Sequence, residues 1–120
     1  MATNGRFPTI ADLPNLPYTE KVFKEALRLY PAVPAMPRWV PNGAVLQGYT
    51  ITPKATVVPN VYNMHRHSDH WQKPDEFWPE HFTPEQEEQR AKYAYRPFGA
   101  GLRICIGRNF AMIEGKHCWQ

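Results

Sequence analysis

The sequence has 120 residues, of which 42% are hydrophobic and 21% are charged, and its formal net charge is +3. This composition excludes a disordered tail and a membrane-embedded chain, and the scattered lysines and arginines form no basic run of the kind that binds nucleic acid. No apolar run approaches the ~18 residues of a membrane span, and the presence of only two cysteines favours a reducing, cytoplasmic setting over a disulfide scaffold.

The first part of the chain is predicted to contain a leader followed by one helix. Residues 1–17 are polar and interrupted by prolines. A helix is expected to begin at Thr19, because a threonine side chain can cap the free N–H groups of a first turn. Pro31 ends it, since the residue before a proline avoids helical geometry. Apolar side chains recur at helical spacing and predict one apolar stripe: Val22, Phe23, Ala26, Leu27 and Tyr30.

The middle of the chain is predicted to be extended and turning, because it holds most of the 13 prolines. "PRWV", "AVLQGYTI" and "ATVVP" are strand candidates, and "NG" at residues 42–43 predicts a hairpin turn between the first two. Residues 60–71 are expected to form a short helix and residues 72–97 mostly coil. A further helix is expected after Cys105. Residues 116–120 do not continue its apolar pattern, which favours a truncated or frame-shifted reading frame.

Two polar clusters have ordinary interpretations when they are judged by their residues alone. Glu25 and Arg28 are three apart and become neighbours on a helix, which favours a solvated salt bridge. His65, His67 and His70 raise the question of a zinc site, but the first two do not share a helix face and no C-x-x-C accompanies them. Surface histidines in a short helix are the preferred interpretation.

The stretch "FGAGLRICIG", residues 98–107, carries the most specific signal for a cofactor. Two nucleotide-binding fingerprints fail, because Ile104 stands where G-x-G-x-x-G needs glycine and Gly107 is followed by arginine rather than lysine. A buried structural cysteine and a cysteine nucleophile with a distant histidine base stay open. A metal thiolate fits better than either.

Each residue type in this stretch suits a metal thiolate. Cys105 precedes a predicted helix, whose N-terminal dipole and free N–H groups stabilise an anionic sulfur. Gly99 and Gly101 have no side chains, so the backbone can pass close to a flat cofactor, and Gly107 lets the next helix lie against the same face. Arg103 offers a permanent cation to a cofactor carboxylate.

Three motifs together resemble the cytochrome P450 family, the haem-thiolate monooxygenases. "FGAGLRICIG" matches its pattern F-x-x-G-x-R-x-C-x-G at every fixed position, "EALR" matches its E-x-x-R helix, and "PEHF" is similar to its P-E-R-F element. The resemblance extends from about Leu13 to Gly115. It implies a mixed α+β fold, mainly α in the intact family, with residues 18–115 as a partial domain between the leader and an atypical tail at residues 116–120.

The resemblance also implies roles for individual residues. Cys105 would be the thiolate ligand of the haem iron, Arg103 would bind a haem propionate and Phe98 would pack beside the sulfur. Residues 32–37 would line the substrate pocket, and Arg38 resembles an arginine that makes a second propionate contact. The cofactor-binding set implied in this way is Arg38, Phe98, Gly99, Gly101, Arg103 and Gly107.

The resemblance changes the interpretation of the first ion pair. In the family, the residues that match Glu25 and Arg28 form a buried network with the arginine of P-E-R-F, and this chain has His81 at that position. Removal of one partner from a buried ion pair lowers the free energy of unfolding by ~3–5 kcal/mol. We therefore expect a structural network of Glu25, Arg28 and His81, in which the histidine is a weaker partner than arginine.

The function implied by the resemblance is that of an enzyme that inserts one oxygen atom of O₂ into a small hydrophobic organic substrate. The cofactor would be haem b, and electrons would come from NAD(P)H through a reductase or ferredoxin on the proximal face, to which Arg96 and Arg108 could contribute. The family's long helix over the opposite haem face has no counterpart in this sequence, and no catalytic residue is assigned. Two alternatives stay open: a small cysteine-ligated haem-binding protein without monooxygenase activity, and a non-functional remnant.

Overall fold

The computed structural model describes residues 9–118 as short helices and two small sheets, in line with the expected α+β class. No helix in this range is long and apolar enough to span a membrane. In chain order the elements are a 3₁₀ helix (Ile10–Asn15), α1 (Pro17–Leu29), β1 (Arg38–Val40), β2 (Ala44–Leu46), β3 (Tyr49–Ile51), β4 (Ala55–Val57), α2 (Val61–Met64), a 3₁₀ helix (Pro79–Phe82), α3 (Pro84–Gln89), a 3₁₀ helix (Gly101–Arg103) and α4 (Arg108–Cys118).

The first helix begins earlier than expected and is not capped by Thr19. α1 starts at Pro17, directly after Leu16, whose side chain makes no capping hydrogen bond. Proline suits the first helical position because its φ angle is already helical and its missing N–H would have no partner there. The end of α1 at Leu29 agrees with the predicted stop before Pro31.

The two ends of the described chain are both helical. Within the predicted leader, the 3₁₀ helix Ile10–Asn15 buries Leu13, and the first eight residues lie outside the described part. At the other end, α4 continues past Gly115, the expected boundary, to Cys118. The weaker apolar pattern after that boundary therefore does not end the helix.

α1 buries a charged face rather than the predicted apolar stripe. Glu25 and Arg28 are fully buried together with Leu29, whereas Tyr30, at the end of the stripe, is 74% exposed. The other members of the stripe are half-buried. Helical periodicity identifies faces but assumes that the inner face is apolar, and here the inner face packs on the 3₁₀ helix Pro79–Phe82 through polar groups.

The strands pair differently from the hairpin predicted at residues 42–43, so that prediction is wrong. β1 pairs with β4 and β2 pairs with β3, both antiparallel. The tight turn lies at Gln47 and Gly48, whose φ angles of +48° and +84° suit a two-residue hairpin loop. Gly43 instead connects the two sheets at a φ of +73°, where a Cβ atom would lie 2.8 Å from the carbonyl oxygen of Ile51.

The segment predicted as coil, residues 72–97, contains two further helical turns, Pro79–Phe82 and α3. The Thr83 side chain accepts a hydrogen bond from the N–H of Gln86 (3.4 Å) at the start of α3. A threonine followed by a proline is a typical helix start, so the sequence did carry this signal. The helix predicted at residues 60–71 is confined to the four residues of α2.

The core of the described chain is small and largely aromatic. Trp71 and Phe82 are buried with ring centroids 6.0 Å apart, and Tyr95 lies 6.1 and 4.8 Å from these two rings. Two buried histidines complete the cluster: the ring of His65 lies 5.2 Å from that of Tyr95, and the ring of His81 lies 5.2 Å from that of Trp71. The Tyr95 hydroxyl donates to the Lys24 carbonyl (2.9 Å), and the Arg28 guanidinium lies 5.0 Å from the centre of the Trp71 ring. The core therefore joins α1 to the chain that leads into residues 98–107, the cysteine loop.

Candidate functional site

Glu25 and Arg28 form a buried ion pair with two parallel hydrogen bonds. Arg28 Nε donates to Glu25 Oε2 (2.9 Å), and Arg28 Nη2 donates to Glu25 Oε1 (2.8 Å). Both side chains have 0% exposure. The interpretation from the residues alone, a solvated salt bridge, is therefore wrong.

Arg28 also holds the coil that follows α2. Its other N–H groups donate to the carbonyl oxygens of His65 (2.8 Å), Pro74 (2.6 Å) and Glu76 (2.9 Å). A guanidinium has five N–H donors; two bind Glu25 and three bind these carbonyls. Every donor is satisfied, which is the condition under which a buried cation is tolerated.

Glu25 receives further hydrogen bonds that keep it charged. The Trp78 N–H donates to Oε1 (2.8 Å), and His81 Nδ1 lies 3.2 Å from both carboxylate oxygens. Burial raises the pKa of this carboxyl, but the hydrogen bonds from His81, Arg28 and Trp78 outweigh burial and lower the pKa to about 2. His81 Nε2 faces the carbonyl oxygen of Gln72. Both ring nitrogens of His81 thus face acceptor oxygens.

The three histidines that were predicted to lie at the surface have different environments. His67 and His70 are exposed, but His65 is fully buried, so the prediction is wrong for His65. Its ring fills the aromatic core beside Tyr95. Among residues 9–118, no group of three His, Cys, Asp or Glu side chains is placed to hold a metal ion, so the zinc interpretation has no support there.

The buried ring of His65 joins α1 to the chain before the cysteine loop. Its Nδ1 lies 3.2 Å from the carbonyl oxygen of Arg28, and its Nε2 accepts a hydrogen bond from the N–H of Arg96 (2.9 Å). Burial lowers the pKa of His65 to about 4, although the Arg28 carbonyl opposes this shift, and the charges of Arg28 and Arg66 lower it further. The ring is therefore neutral at neutral pH.

We expect the free energy of unfolding to fall in two steps as the pH is lowered. The pKa of His65 is lowered from 6.5 to about 4, so its contribution is complete above pH 6.5 and is lost as the pH falls toward 4. The pKa of Glu25 is lowered from 4.5 to about 2, so its contribution is lost between those values. Urea unfolding at a series of pH values measures both steps. The His65→Gln variant should lose the first step only, and a stability that stays constant from pH 6.5 to 4 would contradict the prediction.

The cysteine loop is held by backbone hydrogen bonds near both of its ends. The Cys105 N–H donates to the Phe98 carbonyl (2.9 Å), and the Gly99 N–H donates to the Arg96 carbonyl (3.1 Å). Gly99 and Gly101 have φ angles of +75° and +70°, which glycine adopts without strain. Cys105 is an exposed free thiol, so the alternative of a buried structural cysteine is wrong.

A cavity of about 450 Å³ beside the loop brings together four of the predicted site residues. Cys105, Phe98 and Arg103 line it from the loop, and Arg38 lines it from the start of β1. Most of the apolar wall comes from the segment at residues 32–37, which was predicted to line the substrate pocket. Two further residues of the wall were not predicted to belong to the site. The apolar lining residues are Ala32, Val33, Ala35, Met36 and Pro37 of that segment, together with Leu27 and Pro97.

The glycines predicted to bind the cofactor, Gly99, Gly101 and Gly107, do not line the cavity. A Cβ atom on Gly99 would lie 3.4 Å from Met36 Sδ, and one on Gly107 would lie 3.8 Å from Cys105 Sγ. Around Gly101 no described atom lies within 4 Å of such a Cβ position. A Cβ atom on Gly99 or Gly107 would therefore make only an ordinary van der Waals contact, and the positive φ angles of Gly99 and Gly101 are what favour glycine at those two positions.

The side chains of this cavity fit a flat, apolar, iron-bearing group with two carboxylates. A cysteine sulfur is a ligand for iron, two guanidinium groups can pair with two carboxylates, and the apolar wall can cover a ring system. Leu27 belongs to the predicted apolar stripe of α1, and Pro97 directly precedes Phe98. The sequence therefore carried a signal for both as lining residues of the cavity. Haem has all three of the properties that these side chains could accommodate.

A second cleft, of about 220 Å³, lies between α1, the cysteine loop and α4, and four of the five charged residues in its described lining are basic. Arg96 and Arg108 both line it, together with Lys24 and Lys116. Glu20 is the one carboxylate in its described lining, and it pairs with both lysines. Positive charge therefore predominates on this side of the loop.

Comparison with known proteins gives consistent matches along almost the whole chain. The family model described as Cytochrome P450 matches residues 1–118. "Cytochrome P450 4V2" of Homo sapiens is 44% identical over 113 residues, which are 94% of this chain and 22% of that protein. "Cytochrome P450 71D15" of Mentha piperita is 40% identical over 106 residues, which are 88% of this chain and 21% of that protein.

The fold is also similar to that of a solved structure. The crystal structure of the cytochrome P450DA heme domain aligns with a TM-score of 0.86 and 34% sequence identity, over 93% of this chain and 25% of that one. The chain thus spans about a fifth of the length of the curated relatives that it matches. Because sequence and fold agree over nearly every residue described, the chain belongs to the cytochrome P450 family.

Proposed function

We propose that this chain is the haem-ligating segment of a haem-thiolate monooxygenase, which inserts one oxygen atom of O₂ into an organic substrate. The observation that carries this proposal is the convergence of Cys105, Arg38 and Arg103 on one apolar cavity. Since the chain spans about a fifth of its relatives, the activity is proposed for the longer arrangement in which the segment works.

Different residues of the cavity would contact different parts of haem b. Cys105 would ligate iron through Sγ, while the bond from its N–H to Phe98 fixes the backbone. Arg38 and Arg103 would each hold one carboxylate, and the apolar wall would exclude water, which strengthens these ionic contacts. When bound, haem would supply the iron that activates O₂, and a thiolate ligand donates electron density that favours O–O cleavage.

The basic cleft supports docking of an acidic electron-transfer protein. Arg96 and Arg108 lie there beside the two lysines, close to the loop that carries the proposed ligand. Opposite charges on two partners accelerate encounter, and salt weakens the attraction. The partner would be a reductase or ferredoxin that passes electrons from NAD(P)H.

The cavity wall and the thiols support two further parts of the proposal. The apolar lining residues within 32–37, which are Ala32, Val33, Ala35, Met36 and Pro37, suit a small hydrophobic organic substrate better than a charged one. Cys105 and Cys118 are both free thiols, which suits a reducing, cytoplasmic setting.

A second candidate function is haem binding by cysteine without monooxygenase activity. The chain itself contains the sulfur and both arginines of the cavity, so it has the groups that a simple haem protein needs. If the longer arrangement that contains this segment ligates haem iron through sulfur but forms no product with any substrate or reductant, that result would favour this candidate. Haem-loaded chain that shows no cooperative unfolding would instead favour the non-functional remnant.

Haem titration of the purified chain tests the proposed cofactor site. We expect saturable binding of one haem, and Arg103→Gln should weaken it about 10-fold or more because one charged hydrogen-bond donor to a carboxylate is lost. Arg108→Gln, which changes the same residue type in the other cleft, is the matched control and should leave the Kd unchanged. Equal Kd values for all three proteins would contradict the assignment of Arg103.

A further inference from the structure

His65 occupies a fixed position between α1 and the cysteine loop. Its side chain has no solvent exposure, its N–H donates to the Val61 carbonyl (2.9 Å), and its own carbonyl accepts a hydrogen bond from Arg28 (2.8 Å). The ring stacks on that of Tyr95 at 5.2 Å and meets that of Trp71 edge-on at 6.3 Å. Backbone and ring are thus both held in place.

The two ring nitrogens of His65 face groups of opposite kind. Nδ1 faces the carbonyl oxygen of Arg28, which only accepts, and Nε2 faces the N–H of Arg96, which only donates. One form of the ring satisfies both: the neutral imidazole with its proton on Nδ1. The charged groups nearby, Arg28 and Arg66, oppose a second proton, and burial raises the pKa of Tyr95, so that the stacked phenol is neutral.

From Arg96, hydrogen bonds continue into the cysteine loop. The N–H of Arg96 is held by His65, and its carbonyl accepts the N–H of Gly99 (3.1 Å). The carbonyl of Phe98, which lies between Arg96 and Gly99 in the sequence, accepts a hydrogen bond from the N–H of Cys105 (2.9 Å). The backbone that receives the cysteine N–H is therefore anchored to α1 through one imidazole ring.

We propose that neutral His65 is a positioning residue that fixes the cysteine loop to α1 by bridging the Arg28 carbonyl and the Arg96 N–H. The importance of this loop for haem rests on the proposed function, but the bridge itself does not depend on haem. Tyr95, the residue before Arg96, has its own hydrogen bond to α1, from its hydroxyl to the Lys24 carbonyl (2.9 Å). That bond holds the chain before Arg96, whereas the His65 bridge holds Arg96, from which the hydrogen bonds continue into the loop.

Amide hydrogen exchange on the haem-free chain tests this bridge with three variants. His65→Leu removes both hydrogen bonds, His65→Gln keeps one donor and one acceptor, and His70→Leu makes the same change at an exposed histidine. We expect the amides of Gly99 and Cys105 to exchange about tenfold faster in His65→Leu, and to be restored at least partly in His65→Gln. The β1–β4 amides and the His70→Leu control should not change. Unchanged exchange at both loop amides, or an equal rise in the β1–β4 amides, would overturn the proposal.

Ring ¹⁵N NMR of the unsubstituted chain gives a second test that requires no variant to fold. At pH 7, His65 should show a protonated Nδ1 and an unprotonated Nε2. The opposite tautomer or an imidazolium would overturn the proposal.

Haem-loaded protein separates this proposal from the proposed function. In the ferrous carbon monoxide complex, the ratio of thiolate-type to thiol-type absorption should fall in His65→Leu and recover in His65→Gln. If the native chain binds no haem while the loop amides respond as expected, the proposed function fails and the bridge is supported. If the native chain ligates iron through Cys105 while the loop amides do not respond, the bridge is overturned and the proposed function is not.

Discussion

Replacing Cys105 by alanine is expected to abolish thiolate ligation of haem iron by this chain. Cys105 contributes the sulfur of the 450 Å³ cavity, and alanine keeps the backbone while it removes the metal ligand. Residual haem held by Arg38 and Arg103 would take water or another weak axial ligand. The ferrous carbon monoxide complex of such protein should lack the thiolate-type absorption band altogether.

Cys118→Ala is the matched control for this substitution. Cys118 is also an exposed free thiol, but it lies in the last turn of α4 and does not line the cavity. We expect its spectrum and haem affinity to equal those of the native chain. Loss of the thiolate band in Cys118→Ala, or its retention in Cys105→Ala, would contradict the assignment of the ligand.

Replacing Arg28 by methionine is expected to lower the free energy of unfolding by about 3–5 kcal/mol. The substitution leaves the buried Glu25 carboxylate without its cation and leaves three carbonyl oxygens without their donor. The double variant Arg28→Met with Glu25→Leu should recover part of this loss, since the unpaired carboxylate is gone but the three carbonyls stay unsatisfied. Urea unfolding measures all of these values.

The ion pair of Lys73 and Glu76 offers a control with the same spacing. Its side chains are 52% and 66% exposed, and its N–O distance is 3.1 Å. Lys73→Met should therefore change the free energy of unfolding by less than about 1 kcal/mol. Similar losses in Arg28→Met and Lys73→Met would show that the buried network does not stabilise the fold.

The contrast between these two pairs shows which part of the site the residues alone could predict. Spacing placed Glu25 and Arg28 side by side, but it could not show that they are buried. That burial depends on carbonyl groups at His65, Pro74 and Glu76, which are distant in sequence and reach Arg28 only in the folded chain. The motif resemblance supplied the expectation of burial that periodicity lacked.

The cysteine loop was easier to interpret than its surroundings because its motif consists of consecutive residues. Glycines at Gly99 and Gly101 indicated a tight loop, and both have positive φ angles. Strand pairing was harder, since "NG" is a typical hairpin turn but β1 pairs with the more distant β4. His65 was misassigned for a similar reason: its partner Arg96 lies 31 residues away, and no local pattern reveals that contact.

The most direct test of Cys105 as the haem ligand is the identity of the protein atom bound to iron in haem-loaded chain. Resonance Raman spectra of ferric protein, prepared with ³²S-cysteine or ³⁴S-cysteine, report on the iron–sulfur stretching vibration. We predict that ³⁴S labelling moves this band to lower frequency in native protein and in Cys118→Ala. A spectrum without a sulfur-sensitive band, with nitrogen or water bound to iron instead of Cys105, would contradict the account.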